Sequence, residues 1–284
     1  MKKWLNITLA AIMLAGAFPV AFSVSAYAQE SKIMAYGVDV VTDYVARGQD
    51  LYIRTLVRDG QEHGALHMEP AVQPSLTFFG PNGVSLNLWG SFAASNRADD
   101  KKKGFVGLGR DDELDYTLAY DWSNKLGGFT TALIYYTYMH ACYGASDSCA
   151  YQEPSAVAPD AMIKWALPFA KAMGPYLQHY ANSVPGASYT VLGIGGGETI
   201  PWGLSVGSVV EGVKDITGKV GFAMGPITVA ANMAYRPNPM LVGYDKDGKY
   251  LPDPSKNTIK DYPPAIFWLT FSWGGEVVEK TGGK

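Results

Sequence analysis

The chain has 284 residues, a formal net charge of −3 and only 17% charged residues, against about 25% in ordinary soluble domains. Its mild acidity argues against a nucleic-acid-binding protein, which would present a basic face. Aromatic residues reach 13% and glycine is frequent, with 32 residues. Low charge with many aromatic residues suits a protein whose surface faces both lipid and water.

The N-terminus has the three parts of a secretory signal. Two lysines follow the first residue, and a mostly apolar run extends over Leu5–Val24. Ala26-Tyr27-Ala28 then supplies small residues at the two positions that a signal peptidase reads, so we expect cleavage before Gln29. An uncleaved membrane anchor is the alternative. Residues 1–28 are set apart as a signal peptide, and losing its two lysines changes the formal charge from −3 to −5.

Period-two alternation in segments of about ten residues is the main signal in the mature chain. In Glu113–Trp122, apolar or aromatic side chains alternate with polar or small ones. A helix repeats near 3.6 residues and would not separate these two sets, whereas this alternation is typical of transmembrane strands. The same pattern marks Tyr36–Arg47, Val84–Ser95, Ile227–Arg236 and a last segment over Phe267–Trp273.

Seven further segments alternate less clearly: Val72–Phe79, Phe129–His140, Pro159–Leu167, Pro175–Asn182, Ala187–Thr199, Leu204–Val213 and Lys219–Met224. The total is about twelve strands, an even number as in single-chain bacterial barrels, with ten left open because the weak segments lie between residues 159 and 200. After the signal, no apolar run approaches the ~18 residues of a transmembrane helix. The sequence therefore predicts an all-β, antiparallel, up-and-down transmembrane β-barrel, with a soluble β-sandwich as the alternative.

The connections between these segments support the barrel. Short links rich in glycine, proline and asparagine alternate with longer polar ones, although two links expected to be long, 183–186 and 214–218, are short. Outer-membrane barrels place short turns on the periplasmic side and long loops outside. Residues 29–284 are thus predicted to form one barrel domain, whose last strand ends at Trp273 and is followed by a short periplasmic tail over Gly274–Lys284.

Four segments near the start of the mature chain carry a family resemblance. Val41–Gly48 resembles the S-D-Y-x-x-R-G opening of the TorF family of porins. Pro70–Pro74, Gly83–Ser91 and Glu113–Leu118 are similar to the next three strands of that family, so the likeness covers roughly residues 38–122. The resemblance implies an outer-membrane barrel of poorly defined function, classed as a porin, and it implies no catalytic residues.

The two cysteines, Cys142 and Cys149, lie close together in one polar stretch. In an oxidising compartment such a pair is predicted to form a disulfide that closes a loop. A metal site is the alternative, but it needs more ligands, and His140 is the only nearby candidate.

Other motifs predict little chemistry. Gly193–Gly197 weakly resembles a phosphate-binding loop, but the residues that follow do not predict the required helix, so close packing or bending of a strand is the preferred interpretation. Asp245–Gly248 is interpreted as a polar turn rather than a calcium loop, and Asp111–Glu113 as a solvated run that could bridge a cation or lipopolysaccharide. No histidine has a serine and an acid in an evident catalytic pattern, so the sequence predicts no enzyme, cofactor or metal site; the histidines are His63, His67, His140 and His179.

The polar faces of the predicted strands give the functional hypothesis. Acids outnumber bases on these faces, and rings of carboxylates favour cations. The sequence therefore predicts a weakly cation-selective outer-membrane porin for small hydrophilic solutes or ions. Its partners would be outer-membrane lipid and lipopolysaccharide, without nucleic acid, and its oligomeric state is left open. The alternatives are a non-conducting structural or surface-binding barrel, plugged by pairing of Arg47 with Asp43, and a barrel lipid hydrolase. The predicted lumen-lining residues are Asp39, Asp43, Arg47, Asp115, Asp121, Glu211, Lys219 and Arg236.

Overall fold

The structure is a computed structural model that describes residues 32–47, 49–50, 70–94, 112–139, 155–156, 159–182, 188–210, 212–237 and 264–278. Within these residues, twelve strands form one antiparallel sheet that closes on itself, and a further two-residue strand, Ser155–Ala156, pairs with the end of the fifth. This confirms the predicted all-β, up-and-down barrel and decides the strand number in favour of twelve. No helix in the described part of the chain is long and apolar enough to cross a membrane.

The barrel strands are numbered here in chain order. Each strand pairs with the next along the chain, and the last pairs with the first, so the ring has no open edge. A two-sheet sandwich is therefore excluded. The strands are β1 (Lys32–Val41), β2 (Ala71–Phe79), β3 (Val84–Ala93), β4 (Asp112–Asn124), β5 (Gly127–Met139), β6 (Asp160–Ala166), β7 (Tyr176–Asn182), β8 (Tyr189–Gly196), β9 (Trp202–Val209), β10 (Gly212–Met224), β11 (Ile227–Tyr235) and β12 (Ala265–Val278).

Side chains alternate between the outside and the inside of the ring, as the period-two pattern predicts. On β4, Leu118 is 53% exposed on the outside, whereas Thr117 is 2% exposed on the inside. A sandwich would bury its apolar face, so an apolar outside with a polar inside is the arrangement of a transmembrane barrel. Apolar side chains exposed around the ring include Val40, Phe78, Leu86, Tyr116, Leu133, Leu177, Leu192, Leu204, Phe222, Met233 and Phe271.

Short turns join the strands at one end of the barrel, which we call the turn side. The β2–β3 turn is a single 3-10 turn over Pro81–Gly83, in which Asn82 and Gly83 have positive φ values of 57° and 83°. Gly225 (φ 62°) and Pro226 make the two-residue turn between β10 and β11. Glycine and asparagine tolerate this left-handed backbone, which explains why these residues occur between the strand segments of the sequence. The opposite end, where the longer links lie, is called the loop side.

The first strand is shorter than predicted, because the alternation breaks after Val41. The backbone N–H of Leu269 donates to Thr42 Oγ1 at 2.9 Å, and Thr42 N–H donates to the Leu269 carbonyl at the same distance. Asp43 and Tyr44 both turn into the barrel and are buried. The alternation predicted over Tyr36–Arg47 would put Tyr44 on the apolar face with Tyr36 and Val40, and that prediction was wrong.

Two later strands are longer than predicted. The last strand continues past Trp273 to Val278 and pairs with the start of β1, so only the residues after 278 remain as a candidate tail. β10 begins at Gly212, so residues 214–218, expected to be a link, belong to the strand. A register shift between Gly207 and Ser208 in its pairing with β9 accompanies this early start, and it places two successive residues, Lys214 and Asp215, inside the barrel.

Candidate functional site in the barrel interior

Most of the predicted lumen-lining residues lie on the inner wall or just beyond its strands. Asp39 faces inward on β1, opposite Gln73 and Ser272. Asp121, on β4, accepts a hydrogen bond from Thr130 at 2.6 Å. Glu211 lies outside the described residues. The others on the inside are Asp43, Arg47, Asp115, Lys219 and Arg236.

Arg47 crosses the interior. It follows β1, which lies six strands from β7 in either direction around the twelve-stranded ring, and its guanidinium contacts the wall opposite. Nη2 donates to Asp160 Oδ2 at 2.5 Å and to Tyr136 Oη at 2.9 Å. The guanidinium carbon lies 4.2 Å from the ring centroid of Tyr180 and 5.7 Å from that of Tyr189. One side chain thus connects opposite sides of the barrel.

The segment that carries Arg47 is a small hairpin. Val45–Ala46 pairs with Gln49–Asp50 in a two-stranded sheet of its own, separate from the barrel sheet. Arg47 sits at the tip with φ 50°, in the left-handed region that favours glycine. The hairpin is therefore an arm inside the barrel rather than part of its wall.

The wall that receives Arg47 continues into a second charged pair. The Tyr189 hydroxyl donates to Asp215 Oδ2 at 2.8 Å, and Thr217 donates to Asp215 Oδ1 at 3.1 Å. Lys214 Nζ lies 5.6 Å from the ring centroid of Tyr189. Gly207 faces this cluster, and a Cβ there would overlap the Tyr189 hydroxyl. The absence of a side chain at Gly207 is what lets Tyr189 reach Asp215.

A third group of contacts lies toward β2–β4. The Tyr44 hydroxyl donates to Glu113 Oε2 at 2.8 Å, and the Tyr44 ring packs 5.7 Å from that of Trp89. Glu113 and Asp115 are two residues apart on the same inward face and are 2% and 8% exposed. Buried polar groups in a low-dielectric interior are stable only when they are hydrogen-bonded or paired. Tyr44 provides such a bond for Glu113, whereas Asp115 Oδ1 has no hydrogen-bond partner within the described residues.

The interior has a closed part and an accessible part. Near the loop side, the charged side chains are at most 2% exposed at Asp43, Glu113, Asp160, Asp215 and Arg236. Toward the middle and the turn side, Asp39, Lys164, Tyr176 and Lys219 are only half-buried, and Asp121 is exposed. The turn side therefore opens into a polar vestibule that ends at the network around Arg47.

The described interior carries both signs of charge. Its seven acids exceed its five bases by two, so the acid surplus predicted from the sequence is present but small. Lys219 lies within electrostatic range of Asp39, and Lys164 within that of Asp121. The acids are Asp39, Asp43, Glu113, Asp115, Asp121, Asp160 and Asp215, and the bases are Arg47, Lys164, Lys214, Lys219 and Arg236.

Sequence reasoning missed several members of this network. The plug hypothesis paired Arg47 with Asp43, whereas the salt bridge that the structure shows joins Arg47 to Asp160. Asp160 is the second residue of the weakly alternating segment Pro159–Leu167. It shares a face with Lys164, and this alternation could have placed it on the inner face once the strand was assigned. The aromatic residues Tyr136, Tyr180 and Tyr189 also face inward, where the period-two pattern predicts polar groups.

The prediction that Asp111–Glu113 is a solvated run was wrong at Glu113, which lies on β4 and is 2% exposed in the barrel interior. Other motifs behave as simple structural features or lie outside the described residues. Gly193–Gly196 is the end of β8, no helix follows it directly, and a Cβ at Gly193 would overlap the ring of Tyr176. His179 lies on the outer face, where Nδ1 is 2.8 Å from Thr190 Oγ1. The predicted signal over 1–28 and the following residues lie outside the described part: Asp111, His63, His67, His140, Cys142, Cys149 and 245–248.

No protein-family model and no curated protein matches this chain. The functional argument therefore depends on the barrel and on the chemistry of its interior.

Proposed function

We propose that this protein is an outer-membrane barrel that passes small ions or hydrophilic solutes through a narrow, weakly cation-selective lumen. The observation that carries the proposal is the combination of an apolar outer band with a charged inner wall that is accessible from the turn side. A polar interior is costly to fold unless it is wet or internally paired, and the charged side chains of the vestibule are partly exposed to solvent.

The proposed outer-membrane location is supported by the apolar outer face of the barrel and by the signal-like N-terminus. A band of exposed apolar side chains needs lipid around it, with lipopolysaccharide as the outer-leaflet partner. The signal-like segment before Gln29 supports export. We expect the mature chain to begin at Gln29 and to fractionate with outer membranes. N-terminal sequencing and sucrose-gradient fractionation test this, and recovery as a soluble periplasmic protein would contradict it.

The narrowness of the lumen follows from Arg47. Its contacts with Asp160 and Tyr180 hold the hairpin arm across the barrel, so ions must pass beside it or wait for it to move. The surplus of two acids in the described interior favours cations over anions, and the interspersed lysines keep the preference weak.

A second candidate, a non-conducting structural or surface-binding barrel, is favoured by one specific observation. The network around Arg47 connects both walls and buries Asp160 almost completely, while the Arg47 side chain is 27% exposed. A polar network of this kind can rigidify a protein and specify its core.

Planar-bilayer recordings separate the two candidates. We expect wild-type protein to show small single-channel steps, with a reversal potential under a KCl gradient that indicates cation preference. Arg47→Gly, which suits the left-handed backbone at this position, should enlarge the steps because it removes the crossing side chain. Anion preference would contradict the charge assignment. Silence of both proteins, with the barrel shown to be folded by circular dichroism, would favour the structural barrel.

A further inference from the structure

The wall opposite β1 presents a cage for a planar cation. Asp160 supplies a carboxylate that is almost completely buried, Tyr136 a hydroxyl oxygen, and Tyr180 a ring face 4.2 Å from the guanidinium carbon of Arg47. The ring of Tyr189 stands 5.7 Å away on the neighbouring strand. The four cage residues come from four successive wall strands, β5 to β8, and they hold one another: Tyr136 also donates to Asp160 at 2.9 Å, and the Tyr180 and Tyr189 rings lie 6.0 Å apart.

The carboxylate, hydroxyl and aromatic rings of this cage together favour a cation over an anion or a neutral solute. A carboxylate and a hydroxyl oxygen accept hydrogen bonds from a guanidinium or an ammonium group, and aromatic faces attract a cation through the ring quadrupole. Neither feature recognises an anion, and a neutral solute would gain little from either. Because the carboxylate is buried, its attraction for a cation is screened less by salt than that of a surface carboxylate.

The cage and its present occupant belong to different parts of the structure. The cage residues Tyr136, Asp160, Tyr180 and Tyr189 lie on strands of the closed barrel sheet. Arg47 instead lies at the tip of the hairpin arm, which is hydrogen-bonded in a sheet of its own. Movement of the arm would therefore withdraw the guanidinium without breaking any hydrogen bond of the barrel sheet.

The charged residues around the cage also favour a bound cation. Asp115 lies within electrostatic range of both Asp160 and Arg47, and Glu113 is two residues from Asp115 on the same inward face. On the other flank, Lys214 is adjacent to Asp215, which can balance it. Withdrawing Arg47 would leave this wall with an acid surplus facing the lumen.

We propose that the cage of Tyr136, Asp160, Tyr180 and Tyr189 is a binding site for small organic cations that carry a guanidinium or primary ammonium group, with Arg47 as its internal stand-in. The inference rests on the proposed pore and deepens it, because it names the class of solute that the narrowest point recognises. Such a solute displaces Arg47, binds the cage and passes to the vestibule.

Binding is tested separately from conduction, on the purified full-length barrel in detergent, with methylguanidinium and its neutral isostere methylurea as probes. In Arg47→Gly the cage is vacated, and we expect methylguanidinium to bind at least about tenfold more tightly than methylurea. Wild type should bind methylguanidinium more weakly than Arg47→Gly, because the site is available only for the fraction of time that Arg47 is withdrawn. Adding Asp160→Asn should abolish the preference. Isothermal titration calorimetry provides the affinities.

A second variant keeps the test decisive if Arg47→Gly folds poorly. Arg47→Asn also tolerates the left-handed backbone and removes the cation from the cage, so methylguanidinium should raise its melting temperature more than methylurea does, and adding Asp160→Asn should remove the difference. Equal binding of the two probes by the folded variants, or a preference that survives Asp160→Asn, would overturn the cage assignment.

Bilayer recordings complete the design. With methylguanidinium chloride replacing KCl on one side, wild type should pass methylguanidinium in preference to chloride, and Asp160→Asn should lower the permeability ratio of methylguanidinium to potassium about threefold. Selective binding without any current would refute the proposed pore and leave the cage standing. Current without selective binding would refute the cage and leave the pore standing.

Discussion

Replacing Leu118 by Arg should destabilise the barrel in a lipid bilayer by about 2–4 kcal/mol, the cost of an arginine on the lipid-facing side near the bilayer midplane. Leu118 is the middle residue of the 13 in β4, and it is 53% exposed on the outer face. Its side chain therefore contacts lipid rather than the barrel interior, so an arginine there would have to lose its hydration or deform the membrane.

The structure also predicts how this cost falls with depth. Leu126, which is 64% exposed, lies in the turn after β4, eight residues from Leu118. Only the six residues to the strand end at Asn124 add depth at the strand rise, and at about 3.3 Å per residue and a tilt near 40° they span about 15 Å. Half the height of the lipid-facing apolar band is only about 12 Å, so residue 126 should lie outside the band. Leu126→Arg should therefore lower the free energy of unfolding by only about 0–1 kcal/mol.

An inward residue provides the matched control. Ala119, next to Leu118, is half-buried on the inner face between the small residues Ser85 and Ala132, so an arginine there would not face lipid. Thr117 is a poorer control than the sequence indicates, because at 2% exposure it is packed. Urea unfolding in lipid vesicles, followed by tryptophan fluorescence, measures the three variants. Equal losses for Leu118→Arg and Ala119→Arg would refute the assigned faces, and no loss for Leu118→Arg would refute the membrane placement.

Three further predictions concern the lumen, the external loop and the wall. Replacing Asp39 and Asp121 by Asn should reduce cation preference in reversal-potential measurements, since both side chains line the accessible part of the interior; an unchanged potential would show that ions do not pass them. Cys142 and Cys149 should form a disulfide worth about 2–3 kcal/mol, and two free thiols in the mass spectrum of the native protein would contradict it. Gly193→Ala should cost about 1–3 kcal/mol in urea unfolding, because its Cβ would overlap the tyrosine ring on the adjacent strand; a neutral effect would show that the ring moves aside.

The strands could be predicted from the sequence because period-two alternation is a local signal that the ring preserves. The segment Glu113–Trp122 lies wholly within β4, and the weak segments between 159 and 200 are also strands. Predictions failed where backbone hydrogen bonding departs from the regular ladder. Thr42 ends β1 by bonding to Leu269, 227 residues away, and the register shift beside Ser208 puts two neighbours inside.

For the interior, the sequence could predict only which side chains face inward on each strand. Alternation shows which side chains turn inward, but not which of them meet across the lumen, since that depends on the ring size and on the path of the hairpin arm. Arg47 and Asp160 are 113 residues apart and come together because β6 and β7 form the wall opposite β1 in a ring of twelve. A ring of ten would have put a different strand opposite β1.

The seam between β1 and β12 has a consequence for assembly. Its pairing joins residues more than 200 positions apart, and at the turn side Lys32 forms a 2.6 Å salt bridge with Glu276. Until that seam forms, β1 and β12 each present a row of backbone groups that lipid cannot satisfy. The chain must therefore be synthesised to its last strand before it can seal, and truncation before Ala265 would leave a sheet that is prone to aggregate rather than a smaller barrel.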